Sequence, residues 1–482
     1  MAIIEYAYGS EGYINRNFRA IYNLNGIVGE TSQNAEIRGA LLELRSLSRQ
    51  AARNDPHVQG YLSQIQSQVV GNKGIQMKID LQCRGRGSTE SSMRSKSEEI
   101  EQKWYEWTSG KVDAADSCTW TKLQRMIIRS VAESGEAFLH FVPFPDGDFR
   151  LEIIECDQLD HNYEYTRDKD GNKWELGIKL DKWGRRQQYA FYSYHPGDLY
   201  QDPNLGNVNN RQYFFAPAKD ILHIYKLDRP GQLRGIPWTT PVLELMAHLA
   251  GYERNTAVRA RATAGGVAYV KQTEDSTGNI VSDHETSRGE KINEIVPGRV
   301  EYLESGQDVI VPDFHAPNNE HEIYMQTTLM SASVGLGMAY ESISGNYTKS
   351  NYSSSRMSLI RERDNLRIAQ ALLIEELCQP VFSAWIQHQR GRGEIELTGE
   401  QYKQLSKGSC INWMGRGWPW VDPLKDAQAA KVAIDSGFKS TSEVVAEQGR
   451  DFEKVSRERR RDEDIIESLQ LSEQTIESSI VA

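Results

Sequence analysis

The sequence is poor in the features that mark secreted, membrane-spanning and metal-bound proteins. Its 482 residues include five cysteines, which lie far apart, form no C-x-x-C pair and are odd in number: Cys83, Cys118, Cys156, Cys378 and Cys410. This usage predicts reduced thiols in a cytoplasm instead of a disulfide framework or a zinc site. The first residues show no charged region followed by an apolar run, and no segment reaches the apolar length that crosses a bilayer. We therefore expect neither secretion nor a membrane span.

Positive charge is also scarce. Lysine and arginine total 56 against 67 for aspartate and glutamate, which gives a formal net charge of -11. A protein that grips DNA by neutralising its phosphates is normally basic. The composition therefore excludes a general DNA-gripping protein, but it is compatible with a chain that surrounds DNA without holding it.

Motifs for nucleotide binding and hydrolysis are missing as well. The chain contains neither a G-x-x-x-x-G-K-[ST] loop nor a G-x-S-x-G elbow. His284-Glu285 and His321-Glu322 each lack the second histidine of a zinc-binding H-E-x-x-H helix. We therefore expect no catalytic, cofactor-binding or metal-ligating residues.

Local patterns predict an α+β protein. Helical periodicity runs from Asn34 to Arg53, and Asp55 before Pro56 is expected to cap a second helix. Further helices are expected at 92–110, 119–135, 237–264 and 320–338, and β-like runs rich in Val, Ile, Tyr and Phe at 136–226 and 266–312. Between Lys271 and Asp308 nine acidic and four basic residues leave a local net charge of -5. An acidic β-like insert between two helices predicts that the helices form a stalk and that the insert forms its outer end.

The most distinctive segment is ISGNYTKSNYSSSRMSLIRERDNL, residues 343–366. Gly345 and Asn346 permit turn conformations, and Ser353 or Ser354 is expected to cap a long helix that ends near Gln389. Such a loop is expected either to close over an active site as a lid or to contact another molecule that moves past the protein.

Arginines and tryptophans near this loop have two interpretations each. Arg356, Arg363 and Arg367 fall within a narrow arc of the helix, where they could face phosphate or form salt bridges to a neighbouring helix or subunit. The tryptophans of NWMGRGWPWVDP, residues 412–423, could stack on bases or pack in a core or a subunit interface.

Four passages together resemble the lambda-type bacteriophage portal protein family. SGNYTKSNYSSSR, residues 344–356, followed by a long helix is similar to one family signature. In the family order, VVGNKGIQMK (69–78), DILHIYKLDRPGQLRGIPWTTPVLE (220–244) and the segment from GWPWVDP to DFEKV (417–455) also match. The resemblance spans Glu36 to Val455. Asn346 is often acidic in the family and Ser355 is often alanine, and the first difference changes the charge of the loop.

The resemblance implies a portal fold in a non-enzymatic ring, usually of twelve subunits, at one vertex of the virion capsid. Family members bind the large subunit of terminase during genome packaging and a head–tail adaptor later, and they contact the major capsid protein and scaffold. Double-stranded DNA passes through the channel without sequence specificity, assembly takes place in the host cytoplasm, and no membrane is involved. An acidic channel would repel phosphate and let DNA slide.

The family's parts carry over to this chain in order. The resemblance implies an N-terminal arm (1–35), a wing of helices followed by a β-rich subdomain (36–236), a stem helix (237–264), a clip (265–319), a second stem helix (320–339), a tunnel loop (340–352), a wing helix with the segment after it (353–417), and a crown with the C-terminal tail (418–482). The tunnel-loop residues expected to contact DNA are Asn346, Tyr347, Lys349, Asn351 and Tyr352.

Two other function classes compete with this interpretation. One is a hydrolase of nucleic acid or carbohydrate, with residues 340–352 as an active-site lid. The other is a head–tail adaptor, although adaptors are usually much shorter. An isolated, active monomer would favour the hydrolase, whereas a large inactive ring would exclude it.

Overall fold

The computed structural model describes most of the chain from Ser32 onward. The described residues are 32–81, 90–143, 147–165, 171–197, 212–264, 269–272, 284–285, 291–292, 307–310, 319–348, 351–418 and 422–480. The chain divides into two compact units, one formed by Met1–Thr240 with Gly337–Ala482 and the other by Pro241–Leu336. Most of the predicted N-terminal arm and most of the acidic insert lie outside the described residues.

Helices and paired strands together confirm the predicted α+β class. The described helices are α1 (Gln33–Asn54), α2 (Pro56–Ile65), α3 (Glu90–Ser109), α4 (Trp120–Ser134), α5 (Leu243–Ala264), α6 (Asn319–Leu336), α7 (Tyr340–Ser344), α8 (Tyr352–Leu373), α9 (Gln379–Gly391), α10 (Gly399–Ser406), α11 (Pro423–Asp435), α12 (Thr441–Glu447) and α13 (Phe452–Ile480). None of these helices has the length and apolar character required to cross a membrane.

The strands form small antiparallel sheets. They are β1 (Gln76–Ile79), β2 (Glu136–Pro143), β3 (Phe149–Ile154), β4 (Lys173–Glu175), β5 (Ile178–Leu180), β6 (Arg186–Tyr192), β7 (Tyr213–Pro217), β8 (Ile221–Tyr225), β9 (Tyr269–Gln272), β10 (His284–Glu285), β11 (Lys291–Ile292), β12 (Gln307–Ile310) and β13 (Ile411–Met414). Their orders are β3-β2-β8, β4-β5-β6-β7, β1-β13, β9-β12 and β10-β11. The two β-like regions expected from sequence thus contain strands.

Helix starts in the first unit follow the local signals. Asp55 caps α2 as predicted, because its side chain accepts hydrogen bonds from the amides of His57 at 2.8 Å and Val58 at 3.1 Å. Helix α4 ends at Gly135, whose φ of +92° is a conformation that glycine adopts without strain.

One hydrophobic core of the first unit joins α1 to residues of the β3-β2-β8 and β4-β5-β6-β7 sheets. Ile37 and Leu41 of α1 belong to one buried cluster with Phe138 of β2 and with Tyr189 and Phe191 of β6. Phe138 meets Phe191 edge-to-face, with ring centroids 5.2 Å apart. This packing fixes the position of α1 and β2, which carry the buried charges described below.

The long helical segment after residue 351 is continuous but not uniform. A π-turn at Ile374–Cys378 joins α8 to α9. It ends directly before Gln379 and Pro380. Since proline has no amide hydrogen for an i→i−4 bond, the wider turn accommodates it within the helix. The segment therefore runs from Tyr352 to Gly391, close to the predicted helix.

The second unit contains α5 and α6 as an antiparallel pair. Tyr252 of α5 contacts His321 and Tyr324 of α6, with ring centroids 5.5 and 4.4 Å apart. Helix α5 begins six residues later than Pro237, the predicted start, and a 3₁₀ turn at Thr240–Val242 precedes it. Pro241 lies inside this turn, and because proline has no amide hydrogen to donate, it suits the start of a helix and not its interior.

Candidate functional site

The base of the predicted DNA-contact loop is the five-residue helix α7. Its N-cap is Ala339, which has no side-chain acceptor. Glu362 of α8 instead binds the N-cap residue itself: its Oε2 atom accepts the Ala339 amide at 2.9 Å and the Ser342 hydroxyl at 2.6 Å. Glu362 is 5% exposed, so these bonds are shielded from water.

The C-terminal end of α7 is held from the other side by α2. The Nδ1 atom of His57 lies 3.0 Å from the Ile343 carbonyl oxygen, and the Gln64 amide donates to the Ser342 carbonyl. Ile343 itself is 6% exposed. Two elements remote in sequence therefore fix α7 at both ends.

The loop itself leaves α7 through a left-handed glycine. Gly345 has φ of +67°, and its amide donates to the Glu341 carbonyl. Asn346 then forms a local turn, in which its Oδ1 accepts from the Thr348 amide at 3.0 Å and the Thr348 hydroxyl at 2.6 Å. Tyr347 is 66% exposed at the turn. Lys349 lies outside the described residues.

The helix after the loop is capped by Asn351, which corrects the expectation that Ser353 or Ser354 is the cap. The Asn351 Oδ1 atom accepts the Ser354 amide at 2.9 Å, and the Ser354 hydroxyl receives the Asn351 amide at 3.3 Å. This reciprocal pair is a capping box, in which an amide oxygen serves as well as a hydroxyl. The side chain of Asn351 is thus engaged with the helix, and Tyr352 begins α8.

The three arginines of α8 singled out from the sequence, Arg356, Arg363 and Arg367, all interact within their own chain. Arg356 forms an ion pair with Asp426 of α11, with Nη2 2.8 Å from Oδ1. Arg367 pairs with Asp364 at 2.8 Å. Burial, followed by the nearby charge of Arg367, lowers the pKa of Arg363. Contact with phosphate or with another subunit stays a prediction for all three.

The tryptophans near the end of the first unit are also anchored within the chain. Trp413 of β13 donates its indole hydrogen to Gln379 at 3.0 Å. Trp418 donates to Gln68 at 2.9 Å and lies under the guanidinium of Arg367, 5.6 Å from the ring centroid. These contacts favour packing over base stacking for both side chains.

A buried charge network, which sequence reasoning missed, connects β2 to the signature segment 220–244. Glu136 is fully buried and accepts hydrogen bonds from Arg45 at 2.6 Å and from Arg234 at 2.8 Å. The second carboxylate oxygen of Glu136 lies 2.9 Å from His223 Nε2 and also accepts a hydrogen bond from the Gly235 amide at 2.8 Å. The signal that could have found it was the charged residue at the edge of an apolar run, Glu136 before AFLHFV, together with Arg234 in the signature segment.

The two arginines hold the pKa of Glu136 well below its usual value, although burial alone would raise it. Burial lowers the pKa of His223 to about 4, so the imidazole is neutral near pH 7. The neutral ring then donates from Nε2 to the carboxylate. The network therefore keeps one anion between two cations, all out of contact with water.

Other residues of the same signature segment shape the backbone around this network. Gln232 donates to the Arg234 carbonyl at 2.9 Å and accepts the Asp228 amide at 2.9 Å, which fixes the turn. A Cβ atom at Gly235 would lie 2.0 Å from the Gly135 carbonyl oxygen, so only glycine fits there. These contacts give the signature a structural role in the first unit.

Among the described residues, one group has the side chains of a metal site. Glu155, Asp157 and His195 offer ligand atoms that lie within 4.8 Å of one another. Arg49, however, forms ion pairs with both carboxylates. A guanidinium therefore already neutralises this group. Although burial alone would raise it, the hydrogen bond and charge of Arg49, together with the charge of Arg45, lower the pKa of the Asp157 carboxyl. The arrangement fits an ion-pair network better than a metal site.

The comparisons with known proteins identify the class of the chain as a phage portal protein. The model described as "Phage portal protein, lambda family" matches residues 25–370. The chain belongs to the lambda family of phage portal proteins, which are structural components of the phage particle. The family assignment confirms the predicted function class and the portal fold.

Individual relatives agree with this assignment. A probable portal protein of Halomonas phage phiHAP-1 is 26% identical over 418 residues, which cover 86% of this chain and 78% of that protein. Portal protein B of Escherichia phage lambda is 24% identical over 172 residues, 35% of this chain and 31% of that protein.

Solved structures with similar chains include the neck of a native gene transfer agent particle computed with C12 symmetry. It has a TM-score of 0.45 and 12% identity, and the match covers 83% of this chain and 91% of that one. A HK97 family phage portal protein from Corynebacterium diphtheriae has a TM-score of 0.35 and 12% identity, covering 79% and 96%.

Proposed function

We propose that this portal protein forms a closed ring at one capsid vertex, and that its residues 345–351 contact double-stranded DNA in the channel. The observation that carries the DNA contact is the contrast within one short segment. Ile343 at the base is 6% exposed, whereas Tyr347 at the turn is 66% exposed. A polar turn on a fixed base suits repeated, weak contact with a moving duplex.

The second unit supplies support for a ring. Apolar side chains are exposed on both of its long helices: Val258 at 57%, Ile323 at 62%, Met330 at 50% and Val334 at 66%. Exposed apolar side chains on paired helices favour burial against a neighbouring subunit. Head-to-tail contacts of this kind generate a ring when their rotation closes, and we propose twelve subunits.

Charge supports a channel through which DNA slides. A net charge of -11 per chain disfavours tight phosphate binding, and each additional subunit adds the same excess. Lys349 would give each loop one positive charge. Contacts through one lysine per loop would be weak and independent of base sequence, because they would reach only phosphate and sugar.

The remaining partners are proposed from the family and the chain's charge. We propose that the acidic insert 265–319 docks the large subunit of terminase during packaging and the head–tail adaptor later. The wing would contact major capsid protein and scaffold during assembly in the host cytoplasm. The chain would have no catalytic activity, since the ATPase is the separate terminase, and its family favours this over a hydrolase.

The test of the loop is to delete Asn346–Lys349. Rings and procapsids should still form, because Glu362 and Asn351 still fix the flanking helices. DNA packaging or retention should fail. A length-matched control replaces the same four residues by Gly-Ser-Gly-Ser and separates loop length from loop chemistry. Normal packaging and retention of full-length DNA by the shortened variant would refute the DNA contact.

A further inference from the structure

Helix α7 is too short to hold its own direction. It has five residues, and an isolated helix needs about 12–15 residues to be even marginally stable in water. Its orientation must come from contacts with other elements. The direction in which the loop leaves the first unit is therefore decided by the side chains that bind the two ends of α7.

At the N-terminal end, Glu362 accepts the amide of the N-cap residue, a bond that a Glu or Gln at the third helical position makes in a capping box and that Ser342 does not make here. An N-cap usually has Ser, Thr, Asp or Asn, whose side chain accepts an amide of the first turn, but here the position is Ala339. Glu362, 23 residues later, reaches across from α8 and accepts the Ala339 amide. The same oxygen accepts the Ser342 hydroxyl, so one buried carboxylate ties α7 to α8 twice.

At the C-terminal end, α2 supplies two side chains spaced seven residues apart, which places them on one face of the helix. His57 and Gln64 reach the carbonyls of Ile343 and Ser342, groups that the end of a helix leaves without intrahelical partners. The separation in sequence is 286 residues for His57 and 278 for Gln64. These contacts connect the wing helices near the start of the chain to the loop.

We infer that His57, Gln64 and Glu362, here called the α7 clamp, are positioning residues that aim the loop 345–351 at the DNA. This inference rests on the proposed DNA contact of the loop. The clamp acts through α7 and touches no DNA itself. Gly345 follows directly in a left-handed conformation and ends α7, and Tyr347 lies two residues beyond it, so a rotation of α7 would move Tyr347 with it.

The experiment measures the direction and mobility of the loop without DNA. A nitroxide label is attached to a cysteine introduced by Tyr347→Cys, a position that is 66% exposed, and its spectrum is recorded in assembled rings. The unsubstituted chain, treated with the same reagent, gives the background, which includes any label at Cys83; the four described cysteines are buried. Glu362→Ala and the double variant His57→Ala/Gln64→Ala should each increase the mobile fraction of the label at least twofold.

Two further variants separate positioning from general damage. Glu362→Gln keeps one acceptor oxygen and should restore most of the order lost in Glu362→Ala. Asp364→Asn is the matched control on the same helix, since Asp364 is exposed and pairs with Arg367; it should leave the label unchanged. If Glu362→Ala does not assemble, the α2 double variant provides the test, because α8 is then intact.

The outcomes distinguish the clamp from the loop's DNA contact. An unchanged label spectrum in both clamp variants would overturn the inference, regardless of whether those variants retain DNA. A mobile label together with reduced DNA retention supports the clamp as a positioning device. The proposed DNA contact itself fails only if the loop-shortened chain packages DNA normally, which is an independent measurement on a separate variant.

Discussion

Replacing Glu136 by alanine should destabilise the first unit far more than replacing a matched glutamate in the same sheet. The carboxylate is fully buried and holds Arg45, Arg234 and His223 within 2.9 Å. Without it, Arg45 keeps Asp157 at 3.3 Å, but Arg234 keeps only carbonyl oxygens among its contacts in the described residues. A buried charge is thus left without a counter-ion.

The expected loss of stability follows from leaving the charge of Arg234 buried without a counter-ion. Removing one partner of a buried ion pair costs about 3–5 kcal/mol. The control is Glu152→Ala, because Glu152 also binds a histidine, His140, at 2.9 Å on the same sheet but is half exposed. Exposed pairs contribute about 0–1 kcal/mol. Both variants therefore remove a carboxylate that lies 2.9 Å from a histidine, and they differ mainly in how deeply that carboxylate is buried.

Hydrogen exchange at the amides of β2 and β8 measures the difference directly, since it reports local opening without requiring two-state unfolding. At about 1.4 kcal/mol per tenfold, Glu136→Ala should accelerate exchange by roughly a hundredfold to several-thousandfold. Glu152→Ala should accelerate it by about fivefold or less. Equal acceleration in both variants would show that burial does not determine the contribution of this carboxylate.

Three further predictions concern His223 of this network, Gly235 beside it, and Gly39 of α1. Because the pKa of His223 falls from 6.5 to about 4 on folding, the unfolded chain binds a proton in this window that the folded chain does not. Stability should therefore decrease as the pH drops from 6.5 to 4, and His223→Gln should flatten that slope in thermal unfolding across this range. Gly235→Ala should abolish soluble expression, since its Cβ would lie 2.0 Å from the Gly135 carbonyl. Gly39→Ala, in an exposed turn of α1 with nothing within 4 Å, should raise stability by about 0.5–1 kcal/mol, and a loss there would contradict the steric reasoning.

Local structure and family were accessible from the sequence alone. The start of α2 could be predicted because Asp55 and Pro56 act on amides within their own first turn. The α+β class followed from apolar periodicity, which a chain displays without any knowledge of its neighbours in space. The signature segments indicated the portal family because their residue types and order are readable one after another.

Contacts between remote segments could be decided only by the tertiary structure. Strand β1 pairs with β13 so that Gln76 lies opposite Met414, and neither short strand shows a partner in its own neighbourhood. The meeting of Arg45, Glu136 and Arg234 likewise depends on the packing of α1 against the sheets. Propensity and periodicity describe neighbours along the chain, whereas strand pairing and buried ion pairs depend on which segments the core brings together. For this reason the sequence predicted a loop at 340–352, but only the folded chain revealed helix α7 at its start and the side chains that hold it.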